Sequence, residues 1–119
     1  MPTLTAVVGT ATAAYGVGLV AQPRLLITPI ALEDSRDTRT LVRVLGGRDV
    51  VLGLAMLAAP AGRARRLVTA ARVVADWSDA VLFGTGLAGR RTRGPVAAAA
   101  TLWGAVCLAA GVLDERAGR

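Results

Sequence analysis

Three aspartates and a few arginines define the chemistry available to this chain. Asp76 and Asp79 stand three residues apart in "VADWSDAVLF", with Arg72 one turn before them, and Arg48 directly precedes Asp49 in "GGRDVVLG". Closely spaced carboxyls suit general acid and base work when one holds a proton and its neighbour does not. Arginine beside them supplies forked hydrogen bonds that orient a carboxylate. Asp49, Asp76 and Asp79 are therefore the candidate catalytic acids, and Arg43, Arg48, Arg72, Trp77 and Tyr15 the candidate binding groups. The chain contains no histidine and a single cysteine, Cys107. That excludes a histidine triad, a histidine-ligated metal or haem and an internal disulfide. No metal site and no cofactor are expected; Glu33, Asp34 and Asp37, close to Arg36 and Arg39, read as a solvated connection, and Cys107 as core packing.

The elements that carry these residues follow from hydropathy. Of 119 residues, 54% are hydrophobic and only 3% aromatic, with a mean hydropathy of +0.54. A domain this small leaves much of its surface exposed, so a chain this apolar fits lipid better than water. Leu4 to Ala21 and Val96 to Leu113 are uncharged runs long enough to cross a hydrocarbon core of about 30 Å as helices. Met1 to Thr5 lacks the basic residues of a signal peptide, so the first run is expected to stay in the mature protein. Two further segments, 40–59 and 66–88, carry charges inside them. They are bounded by "APAGRARR" and "GRRTRGP", whose proline, glycine and arginine clusters read as tight turns anchored at lipid headgroups. The connection 22–39 is longer, and Pro23 and Pro29 oppose a continuous helix there, so an extended or interfacial piece is expected. The expected fold is all-α: a single integral membrane domain, an up-down-up-down four-helix bundle, multi-pass in the cell membrane. Loop arginines divide five against six between the two sides, which sets no orientation. The net charge of +6 comes from scattered arginines without interleaved aromatics. Membrane lipids, not nucleic acid, are the expected counter-charge.

At 100° per residue, Arg72, Asp76, Asp79, Phe83 and Gly86 fall within a stripe about 60° wide. Gly46, Asp49 and Gly53 share a face of the second segment. Antiparallel neighbours would bring Arg48, Asp49, Asp76 and Asp79 to one plane in mid-bilayer, with Arg43 and Arg72 on either side. Six such charges facing lipid would cost on the order of 15 to 20 kcal/mol. Pairing avoids that cost, and three arginines (Arg43, Arg48, Arg72) against three aspartates would be neutral. Asp76 and Asp79 disfavour each other's charge at low dielectric unless an arginine reaches each of them. Gly9 and Gly16, Gly46 and Gly53, and Gly104 and Gly111 recur at seven, giving smooth faces for close helix approach. Trp77 and Trp103 fall mid-span and, with Tyr15, are expected to line the inside.

"GGRDVVLGLAMLAA" followed by a short arginine turn and "ARVVADWSDAVL" resembles an uncharacterised family of small four-helix bacterial membrane proteins. Its members carry a Gly-x-Arg-Asp motif in the second helix and an Asp-Ala pair in the third. The resemblance implies the four-helix fold and the relevance of Arg48, Asp49 and Asp79; it implies no activity. Three functions are open on the residues alone. The first is an Arg/Asp pin in a structural or assembly component of a membrane complex, self-associating or joined to another membrane protein. The second is a binding protein or an enzyme, of isomerase, cyclase or epoxide-opening type, for a lipophilic small molecule. The third is a proton-coupled small transporter, although small four-helix multidrug transporters place their key acid in the first helix and Leu4 to Ala21 has none.

Overall fold

A computed structural model describes residues 3–28, 33–86 and 93–119. It is all-helical: α1 (Leu4–Ala21), a single-turn α2 (Arg24–Ile27), α3 (Arg36–Ala58), α4 (Arg63–Gly86) and α5 (Arg93–Arg116). The first helix has the limits that hydropathy sets. The other three long helices start three or four residues before them, and α5 also ends three residues later, because apolar runs mark desolvation whereas hydrogen-bonded turns continue into the charged ends. α3 starts four residues before the expected 40, where Ser35 Oγ accepts from the Thr38 amide at 3.1 Å and Asp37 sits in the positive first turn. α4 starts at Arg63, after Pro60 has stopped α3 and Gly62 has turned the chain at φ 101°. Residues 87 and 88, the expected end of that helix, and 89–92 of the following turn lie outside the described residues.

The expected extended connection after α1 is partly helical. Pro23 opens α2, where its missing N–H costs nothing, and Ile27 is buried against Leu19 and Val42. Beyond it, Arg24 and Arg39 converge on Asp34, and the Arg39 guanidinium holds that carboxyl below its ordinary range.

The helices associate as two pairs. α1 lies along α3 and α4 along α5; α1 also touches α5, while α3 and α4 approach each other sparingly. Glycine sets the first pairing. A Cβ on Gly16 would lie 2.5 Å from the Gly46 carbonyl oxygen, and one on Gly53 would lie 2.5 Å from the Gly9 carbonyl oxygen. Gly104 and Gly111 play a different part from the expected backbone contact. They make room for side chains of α4, Trp77 and Thr69 respectively.

Both ends of the chain are tied together at Asp114, a residue outside the expected spans. Its fully buried carboxylate accepts from the amides of Leu4 (3.0 Å) and Thr5 (2.7 Å) and from Thr5 Oγ1 (2.6 Å). Thr3 Oγ1 takes the Ala6 amide and the Thr3 carbonyl the Val7 amide, so all four leading N–H groups of α1 have partners. Nearby, Arg65 donates to the Arg119 carbonyl and Arg66 pairs with Glu115. Two of the turn arginines expected to anchor headgroups, Arg65 and Arg66, therefore bind the end of α5 and the residues after it, and Arg65 is buried. Asp114→Ala should strand three donors and lower stability by about 2 to 3 kcal/mol. Thermal melting in detergent checks this, with Asp114→Asn retaining part of the loss.

The apolar and charged residues are distributed inside out relative to a water-soluble bundle. Val51 is 68% and Val74 64% exposed, against 6% for Asp49 and 4% for Arg72. By length and composition, α1 and the Gly94–Arg116 portion of α5 are apolar enough to cross a membrane. Four spans were expected; α3 and α4 fall short on composition because each carries charged residues, buried and exposed, within its length.

Candidate functional site: an Arg/Asp network beside a cavity

α3 and α4 meet chiefly through charged side chains. Arg48 forks onto Asp79, with Nη1 to Oδ1 at 2.9 Å and Nη2 to Oδ2 at 2.6 Å, and its Nη2 also reaches Asp49 Oδ1 at 3.3 Å. Arg72 Nη1 donates to the same Asp49 Oδ1 at 2.8 Å, while its Nε (3.0 Å) and Nη2 (2.6 Å) fork onto Asp76 one helical turn ahead. The result is a continuous file: Asp79, Arg48, Asp49, Arg72, Asp76. Each outer carboxylate has its own guanidinium, and Asp49 joins the two forks.

Local sequence explains the order. Arg72 and Asp76, four apart, face each other along α4, and Asp79 follows on the same stripe one turn toward Phe83. Asp49 reaches the interior because Gly16 has no side chain; a Cβ there would stand 3.0 Å from that of Asp49.

Two of the candidates lie elsewhere. Arg43 is not part of the network, and its Nε donates to the Val20 carbonyl at 3.2 Å on an exposed face. Six residues before Asp49, it is turned about 120° away and lies about 9 Å along the helix. The expected neutral set of three and three is therefore two arginines against three aspartates. Trp77 does not line the interior: it is 43% exposed, and its indole lies against Gly104 and donates to the Thr101 carbonyl at 3.2 Å. One residue from Asp76 turns it 100° off the charged stripe and onto α5.

Between the two helix pairs lies a cavity of about 420 Å³ to which every helix contributes. All five network residues line it, and so do Tyr15 and Phe83. Trp103, also at its wall, donates from Nε1 to Thr12 Oγ1 at 3.2 Å, which fixes the indole against α1. Leu19, Leu26, Leu45 and Val96 complete much of the apolar lining. A volume of this size with a few convergent polar groups is that of a small-molecule site. Among the described residues Arg48 Nε is buried without a partner, and both hydrogen bonds to Asp49 fall on its Oδ1.

Comparison with protein-family models, with curated proteins and with solved structures finds no match. The site's geometry is accordingly the basis for a functional reading.

Sequence reasoning missed Asp114, Thr5 and Arg65, which meet across the two ends of the chain. The signals were available only in part: a threonine at the first turn of a helix and an acid just past an apolar run each have several ordinary explanations.

Proposed function

We propose that this protein is a multi-pass protein of the cell membrane, with four spans, whose interior binds a lipophilic small molecule. The apolar body of the ligand occupies the space between the helix pairs, and its polar end rests on the Arg/Asp file. The observation that carries this reading is the cavity itself, with aromatic and aliphatic walls and one charged side. A network that served only to pin α3 to α4 would need no 420 Å³ space beside it.

The inside-out distribution of side chains supports the four-span reading. Valines and leucines on the outer faces of α3 and α4 meet acyl chains without penalty, and Arg48, Asp49, Arg72, Asp76 and Asp79, the charges in the middle of these helices, are paired with one another on the inner side. At 23 and 24 residues, both helices exceed the roughly 20 needed to span a bilayer.

Purification in native lipid followed by extraction and mass spectrometry tests the reading. A molecule retained reproducibly by the unaltered protein is expected, and Ala100→Leu, which narrows the cavity from α5, should lose it while still melting cooperatively. Retention of the same molecule by Ala100→Leu, or of none by the unaltered protein, would count against a cavity ligand.

A further inference from the structure

The geometry points to a lipophilic cation as the ligand: an ammonium group on an apolar tail, seated on Asp49. This rests on the cavity reading above and adds the sign of the charge. Among the described residues the file joins two guanidiniums to three carboxylates, one negative charge in excess. Arg43, the cation that would have balanced it, is turned away to the Val20 carbonyl. A net charge held away from water requires a counter-charge.

The location of the excess is fixed by the hydrogen bonds. Both oxygens of Asp79 are taken by Arg48 and both of Asp76 by Arg72, as two closed forks. Asp49 is shared by both arginines through one oxygen alone, its side chain is 91% buried, and it lines the cavity. Oδ2 of Asp49 is thus the acceptor to which an ammonium N–H, or the positive face of a quaternary ammonium, would come. Tyr15 and Trp103 line the same cavity, and aromatic rings are groups that attract organic cations. An anionic headgroup meets the reverse situation, since three carboxylates surround the two guanidiniums and Arg48 Nε is the one buried guanidinium nitrogen among the described residues that is left without a partner.

The experiment compares three probes that share one tail, octyltrimethylammonium, octanol and octanesulfonate, below their micellar concentrations. The protein is held in phosphatidylcholine nanodiscs, with empty discs as the baseline. Trp77→Phe leaves Trp103 as the sole indole, and its emission reports occupancy. Octyltrimethylammonium is expected to bind saturably and at least about tenfold more tightly than either other probe, the effect of one unit charge at a partly buried site. Asp49→Asn leaves two neutral forks and should reduce the cation to parity with octanol without loss of fold. Asp76→Asn, which removes the same excess charge, serves if that variant fails to assemble. Equal binding of cation and alcohol by the unaltered network would overturn the cation assignment, leaving a proton to balance the network and the cavity reading intact. Saturable binding of none of the three would overturn both.

Discussion

Arg72→Met is expected to cost about 3 to 5 kcal/mol, the usual penalty for removing one partner of a buried ion pair. Arg72 makes three of the network's hydrogen bonds and is the bridge between Asp49 and Asp76. Methionine fills much of its volume, so the loss isolates charge from packing. The variant would bury Asp76 with no guanidinium and leave Asp49 with the weaker of its two contacts, the 3.3 Å bond from Arg48. Denaturant titration in mixed micelles, followed by circular dichroism, reads the effect. Adding Asp76→Leu to Arg72→Met should restore a large part of the loss, because the second substitution removes the stranded carboxylate. A single variant that melts with the unaltered protein would mean that the file does not hold the helix pairs together.

The second large effect separates two adjacent glycines. A Cβ on Gly46 would lie 2.7 Å from the Gly16 carbonyl oxygen and 2.8 Å from the Leu19 Cβ, and backbone cannot move aside without parting α1 from α3. Gly46→Ala should therefore lie at the upper end of the roughly 1 to 3 kcal/mol that overpacking costs. A Cβ on Gly47 would meet nothing within 4 Å. Gly47→Ala should be neutral or stabilise by up to about 1 kcal/mol, through helix propensity alone. The same titration on the two variants gives opposite signs if α1 and α3 pack through this face, and similar small shifts if they do not.

Much of the charged site was legible because a helix repeats regularly. The 100° step placed Arg72, Asp76, Asp79 and Phe83 together, and all four line the cavity. The glycine spacing of seven likewise marked the faces of α1 and α3 that meet, though not which helices would pair, and Gly104 and Gly111 make room for side chains instead. What periodicity cannot supply is the direction in which each helix is turned toward its neighbours. Arg43 was assigned to the cluster by the demand for neutrality, yet its angular position sends it to α1. Trp77 was placed inside by its depth alone, whereas the gap at Gly104 on α5 receives it. Helix limits drifted for a related reason: hydropathy has no knowledge of Ser35 as a cap or of the charged final turn of α5. The Asp114 contact, between residues 109 apart in sequence, has no local signature.

That contact also bears on the order in which the molecule comes together. α1 and α3 can close on each other through glycine as soon as both have been made, and α4 and α5 form the later unit. Until α5 exists, however, the first turn of α1 has two backbone amides and a hydroxyl with no acceptor. Of the helices described, the first in chain order is thus completed by the last. Without Asp114, three polar donors would stand open at the first turn of α1.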